Sequence, residues 1–201
     1  MIIAGPNGAG KSTLTRLFTA DLPVIDPDAI ARAIDPKNPE SAALAAGRQA
    51  IDRARAYIQS DCSFIVETPL SGNTYLNLMR EVKALGWITS LTYIGIDDPN
   101  TNIQRVRSRV KLGGHDVPVA DIVRRYDRSL SNLSKAAKIV DRLTLYDNYT
   151  DARHQLVATV EGNSTVVYMQ KLPSWVDRSL LRLWHHFDFQ IRTIFVLPSP
   201  I

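Results

Sequence analysis

GPNGAGKST, residues Gly5 to Thr13, is the stretch on which the fold turns. It satisfies the pattern Gly, any four residues, Gly-Lys-Ser. It runs out of the apolar Met1 to Ala4 and into a helix-forming stretch from Lys11, the strand-to-helix setting in which the pattern binds phosphate. Gly5, Gly8 and Gly10 let the backbone bend so that successive N–H groups face inward, an anion nest on the positive end of the next helix. Gly5, Asn7, Gly8, Ala9, Gly10, Lys11, Ser12 and Thr13 are therefore expected to hold a nucleoside triphosphate, ATP or GTP. Lys11 should reach the β- and γ-phosphates, and the Ser12 hydroxyl should ligate Mg²⁺.

Outward from this loop the chain alternates strand and helix. VIDPD (Val24 to Asp28) reads as a short strand, a loop and a helix start at Asp28, whose carboxylate can cap free N–H groups. The alanine-rich stretch Glu40 to Gln59 predicts a helix. Ser63 to Val66 predicts an apolar strand ending at Glu67, and Thr74 to Leu85 a helix stopped by Gly86. WITSLTYIGI (Trp87 to Ile96) is a further strand; Asn100 to Leu112 and Val119 to Lys138 are helices, and IVDRLTLYDN and STVVYMQ are late strands. The rhythm predicts an α/β fold of the P-loop NTPase kind: a mainly parallel central sheet, helices on both faces and an arginine-rich helical lid.

The 201 residues suit one domain, with apolar residues at 45% and charged residues at 22%, ordinary globular usage. No apolar run approaches the ~20 residues that span a bilayer, and MIIAG is too short for a signal peptide, so a cytoplasmic, non-membrane protein is expected. Only four residues precede Gly5, which predicts a thin first strand and reads as a late start. The single cysteine, Cys62, rules out an internal disulfide and is expected in a buried strand environment beside Phe64, Ile65 and Val66. From Ile103 to Arg128 there are seven basic residues against three acidic ones, which accounts for the whole net charge of +4. Such a segment fits a nucleic-acid surface or a clamp on polyphosphate; beside a phosphate loop the clamp is favoured over nucleic acid.

GPNGAGKST is also a favoured spelling in ABC transporter ATPases, and LSGN (Leu70 to Asn73) and IGIDDP (Ile94 to Pro99) imitate the other motifs of that class. The imitation fails in detail. Asn73 stands for the second glycine, Asp98 for the glutamate that polarises water, and about sixty residues leave no room for the helical subdomain that carries the signature.

A small kinase needs a carboxylate near the acceptor hydroxyl, a substrate-holding group at a strand end and basic residues that close over the phosphates. In an open α/β sheet these gather at the carboxyl ends of strands. Asp28 is the candidate base, accepting the acceptor hydroxyl's proton; the alternative is that Asp28 only caps its helix and Asp26 is the acid. Glu67 and Thr68 end another strand, with Glu67 orienting substrate or serving the Mg²⁺ shell. Arg109 and Arg125 are the first candidates for phosphate contacts, Arg105 and Arg124 the next, on two helices flanking the glycine hinge Gly113-Gly114-His115. His115 is expected to order that loop, and His185 and His186 lack partners for a metal site.

AGPNGAGKST, VIDPD, a helix carrying AAGR (Ala45 to Arg48), ETPLSG (Glu67 to Gly72), RVRSRVKLGGHDVP (Arg105 to Pro118) and IVRRYDRSLSNL (Ile122 to Leu133) together resemble the short, single-domain branch of the zeta toxin-like P-loop kinases. The likeness runs from Met1 to about Asp177, a kinase domain with its lid at about 103–128, followed by an extension, 178–201, of unknown role. It implies ATP-dependent phosphorylation of a nucleotide sugar, UDP-N-acetylglucosamine, at the sugar 3′-hydroxyl, and an antitoxin as a partner. Lys11 and Ser12 would hold ATP and Mg²⁺, Asp28 would be the base, Glu67 and Thr68 would lie by substrate, and Arg109 and Arg125 would clamp phosphates. Arg48 would face the nucleotide-sugar side. Pro69 stands where relatives commonly carry threonine, which reshapes the substrate loop.

Overall fold

The structure is a computed structural model that describes residues 1–18, 22–114, 116–149, 154–184 and 190–193. Eight strands form one sheet in the order β2-β3-β1-β4-β5-β6-β7-β8. Its first five strands run parallel: β2 (Val24–Ile25), β3 (Ile65–Thr68), β1 (Ile2–Ala4), β4 (Ser90–Gly95) and β5 (Arg142–Asp147). Next, β6 (Gln155–Glu161) pairs antiparallel with both β5 and β7 (Ser164–Val167), and β8 (Gln190–Thr193) runs parallel to β7. The order departs from the sequence order on both sides of β1, so the crevice at the carboxyl end of β1 is the switch point where ligands of open α/β sheets collect.

The short strand β1 holds the centre because both its faces are covered, in the two-residue alternation of a strand. Ile2 and Ala4 join a cluster with Leu76 and Met79 of α4 (Thr74–Ala84), Tyr126, Leu130 and Leu133 of α6 (Val119–Ala137) and Trp175, Val176 and Leu180 of α7 (Ser174–Trp184). Ile3 points the other way, with Ile65, Ile94 and Ile96, onto Leu14 of α1 (Lys11–Phe18). A third cluster forms where Ala46, Ala50 and Ala54 of α3 (Ala43–Gln59), four residues apart, let that helix approach Ile30 and Ala31 of α2 (Pro27–Ile34). Among the described residues no helix is long and apolar enough to cross a membrane.

Three details depart from the expectations. Cys62 is exposed, its Sγ 3.4 Å from the Ser60 carbonyl. The chain is still leaving α3 there, through Asp61 at φ +52, and strand pairing begins only at Ile65. Helix α2 starts one residue earlier than expected: Asp26, not Asp28, is its N-cap, accepting from the Asp28 N–H at 2.9 Å, with Pro27 in the first turn. Last, β6, α7 and β8 were not anticipated. Helix α7 runs through residue 177, and its Trp175 is fully buried, packed on Tyr93 at 5.6 Å between ring centroids and so close to Gly95 that no side chain fits there. His115, His185 and His186 lie outside the described residues.

Candidate active site

At the carboxyl end of β1 the chain turns through Gly5, Gly8 and Gly10 at φ +146, +78 and +93, conformations closed to ordinary L side chains. The turn is braced from behind, carbonyl by carbonyl. Asn102 Nδ2 donates to the Asn7 oxygen at 2.6 Å, Asn148 Nδ2 to the Ala9 oxygen at 2.9 Å, and His154 Nε2 lies 3.2 Å from the Gly10 oxygen. With these carbonyls engaged, and the Gly5 and Ala9 N–H groups donating to the Thr68 and Pro6 oxygens at 3.3 and 3.1 Å, the remaining loop N–H groups are the ones a phosphate would meet. A Cβ on Gly10 would stand 2.6 Å from Asn148 Nδ2 and 2.9 Å from His154 Nε2. Neither Asn102, Asn148 nor His154 was anticipated from sequence. Each contact spans 95 or more residues, and single polar side chains meeting main-chain oxygens leave no periodic trace. Burial pushes the His154 ring below its usual pKa and the nearby Arg105 adds to this, against the opposing pull of the Gly10 oxygen.

In front of the loop lies a cleft of about 240 Å³. Asn7, Gly8, Gly10, Lys11, Ser12 and Thr13 form its floor. Asp26, Pro27 and Asp28 come from the β2–α2 corner, Glu67, Thr68 and Pro69 from the end of β3, and Arg105 and Arg109 from α5 (Pro99–Lys111). Lys11 Nζ donates to the Gly5 and Pro6 oxygens at 2.8 and 3.1 Å. Burial pushes its ammonium below its usual pKa, opposed by the carboxylates of Asp28, Glu67 and Asp26 and reinforced by Arg109. Ser12 Oγ donates to Glu67 Oε2 at 2.9 Å, because β3 pairs beside β1 with Glu67 opposite Ile3. Glu67 is buried, 6% exposed, so a carboxylate held dry beside a hydroxyl is already aimed at one point. That pair fits Mg²⁺, which takes one or two protein oxygens and completes its shell with phosphate and water.

At the β2–α2 corner, the capping duty belongs to Asp26, which also lies 3.6 Å from Arg32. Asp28, in the first turn of α2, lines the cleft without that duty. Tyr75, at the start of α4, has its pKa pushed up to about 12, by burial and then by the charges of Asp26 and Asp28, so its phenol stays protonated beside them. The loop between β3 and α4 is held in shape by α6: Asn132 Nδ2 donates to the Leu70 oxygen at 3.0 Å, and Leu70 sits buried at φ +55. A buried leucine in the left-handed region is strained backbone, maintained only where its surroundings over-determine it.

Of the expected site residues, the cleft gathers Asn7, Gly8, Gly10, Lys11, Ser12, Thr13, Asp28, Glu67, Thr68 and Arg109, with Gly5 and Ala9 buried in the loop beneath. Two fall outside its lining. Arg48 is exposed on α3. Arg125 lies one helical turn after Asp121, which holds both adjacent arginines: Arg124 at 2.8 Å and Arg125 at 3.5 Å. The second arginine in the cleft is Arg105, which donates to the Asn148 oxygen at 2.7 Å.

Solved structures share this fold. A chain of the AvrRxo1-ORF1:AvrRxo1-ORF2 complex with sulphate ions aligns with a TM-score of 0.65 at 16% identity, over 93% of this chain and 63% of that one. The same complex with ATP gives 0.60 at 18% identity, over 80% and 58%. The PezAT chromosomal toxin-antitoxin system of Streptococcus pneumoniae gives 0.55 at 19% identity, over 76% and 69%. The chain thus spans about three fifths of the AvrRxo1 complex chains it matches, and the fold is that of a P-loop NTPase. No family model matches the sequence. In sequence, an uncharacterized protein of Haemophilus influenzae is 43% identical over 122 residues, 60% of this chain and 86% of the other. At that identity over that much of the relative, the chain belongs to the same family as this Haemophilus influenzae protein.

Proposed function

We propose that the protein is an ATP-dependent phosphotransferase that passes the γ-phosphoryl group to a hydroxyl of a nucleotide sugar, UDP-N-acetylglucosamine. The observation that carries the reading is one cleft in which the phosphate loop, the Ser12–Glu67 pair, the Asp28 carboxylate and two arginines meet. ATP bound there would supply the transferable phosphoryl group, and Ser12 and Glu67 would hold Mg²⁺, which when bound would neutralise charge on the phosphates. Lys11 exchanges its contacts with the Gly5 and Pro6 oxygens for phosphate oxygens. Arg109 and Arg105, from α5, face the migrating group, and Asp28 accepts the acceptor hydroxyl's proton. Thr68 and Glu67 bound the acceptor side, and Arg48 and Arg125 reach the reactants only from outside the present lining.

Support for the acceptor comes from the run of motifs that resembles the zeta toxin-like kinases. Support for a toxin-like role, with an antitoxin as partner, comes from structural likeness to the PezAT toxin-antitoxin system. Incubation with Mg·ATP and UDP-N-acetylglucosamine, followed by mass spectrometry, is expected to yield a sugar nucleotide heavier by one phosphate. Absence of product while ATP binds sinks the acceptor, and a parallel panel of other metabolites and RNA 5′-hydroxyl ends identifies its replacement.

A further inference from the structure

The residue that joins the phosphate loop to the arginine helix belongs to none of the motifs above. Asn102 lies in the first turns of α5, three residues before Arg105 and seven before Arg109, so the three share one helix face. Its side chain is fully buried, and its Nδ2 donates to the Asn7 oxygen at 2.6 Å. Main chain approaches main chain at the same place: a Cβ on Gly8 would stand 2.8 Å from the Asn102 carbonyl oxygen. The amide comes at a cost. Asn102 Oδ1 is buried and, among the described residues, accepts no hydrogen bond, and Asn7 Oδ1 beside it is in the same condition. An apolar side chain would fill the position with no orphan acceptor, so what the amide contributes is its bond to the loop.

The link closes on itself. Arg105 donates to the Asn148 oxygen at 2.7 Å, and Asn148 Nδ2 returns to the Ala9 oxygen at 2.9 Å. The face of α5 that lines the cleft is thereby tied to the loop at two carbonyls, those of residues 7 and 9. We infer that Asn102 is a positioning residue: it sets the register of α5 against the phosphate loop, so that Arg105 and Arg109 meet the γ-phosphate in one fixed place. The inference rests on the phosphotransferase reading, but its test needs no acceptor.

Calorimetric titration of the full chain with Mg·ADP and with a non-hydrolysable Mg·ATP analogue reads the preference for a γ-phosphate. Asn102→Ala is expected to lower that preference about tenfold while ADP affinity stays within about threefold. Combined with Arg109→Ala, it should lower the preference little beyond Arg109→Ala alone, because it acts through that face. Equal weakening of both nucleotides, or losses that multiply in the double variant, would overturn the inference. Asn102→Leu, of similar size but with neither charge nor N–H donor, is measured alongside and carries the test if circular dichroism shows that the alanine variant does not fold. If no acceptor is ever phosphorylated but Asn102→Ala lowers the preference as stated, the phosphotransferase reading fails and the positioning role stands.

Discussion

Glu67 and Asp28 line one cleft and differ in what surrounds them. Glu67 is buried in β3 and already accepts the Ser12 hydroxyl; Asp28 is exposed at a helix start whose capping is done by Asp26. The first is suited to a fixed metal shell and the second to meeting a mobile acceptor. Glu67→Gln keeps the size and the hydrogen bond to Ser12 while removing the charge, so the Mg²⁺ concentration needed for half-maximal activity should rise about tenfold or more. A magnesium titration checks this, and an unchanged requirement would remove Glu67 from the metal shell. At this scale the sequence was readable in placement: residues of Gly5 to Thr13 and of VIDPD meet in one cleft, although the helix cap is Asp26 and not Asp28. Asn102, Asn148, His154 and Asn132 were not readable, because each works by reaching a main-chain oxygen far along the chain. Arg125 falls outside the cleft lining, 3.5 Å from Asp121 one turn earlier on the same helix.

The elements divide the work between presenting groups and holding them. Helix α5 presents Arg105 and Arg109 and packs onto α6 through Val106, Val117 and Ile122. Helix α7 holds the corner from which α5 departs. Asp97 accepts from Ser174 Oγ and the Trp175 N–H, both at 2.7 Å, Arg178 donates to the Asp97 oxygen at 2.9 Å and to the Tyr126 hydroxyl at 3.0 Å, and Trp175 Nε1 donates to Asp147 at 2.8 Å. Trp175→Ala removes the largest fully buried side chain among the described residues and opens a cavity against Tyr93 and Gly95, for a loss of about 3–5 kcal/mol. Urea unfolding measures it, and a loss below about 1 kcal/mol would mean that α7 is peripheral to the packed unit. Strands and helices with strong local patterns were readable in the sequence. QLVATVE (Gln155 to Glu161) breaks its alternation at Leu156-Val157-Ala158, where the register against β5 shifts, and the Gly162-Asn163 turn that joins it to β7 is the signal missed in the sequence. Cys62 was drawn into a strand by its apolar neighbours, whereas pairing with β2 sets where β3 begins.

At the scale of the molecule, the crossover order around β1 brings the ends of β1, β2 and β3 and the face of α5 to one crevice, and this was the part most fully readable beforehand. The opposite end of the sheet is tied by Asp141, which accepts from the Thr89 N–H at 2.7 Å, Thr89 Oγ1 at 2.8 Å and Lys83 Nζ at 2.9 Å. These contacts, the Thr89 N–H first, bring its pKa down to about 2 from 3.8. A carboxylate whose folded pKa is depressed contributes stability that is fully present above its unfolded value and is lost as pH falls through the folded one. Asp141→Asn should therefore melt below wild type at neutral pH, with the gap closing as pH falls from about 4 toward 2. A gap independent of pH in thermal scans would contradict the network's charge as its cause.

The account turns on Asp28 as the group that lets an acceptor hydroxyl attack. The most direct measurement is single-turnover transfer from Mg·ATP to UDP-N-acetylglucosamine by wild type and Asp28→Ala, with ATP affinity measured on both. The account predicts phosphorylated sugar nucleotide from wild type, near-equal ATP affinity, and transfer slower by about 10²–10⁴-fold in the variant. Product formed at the wild-type rate by Asp28→Ala, or none formed by a wild type with ATP bound, would contradict it.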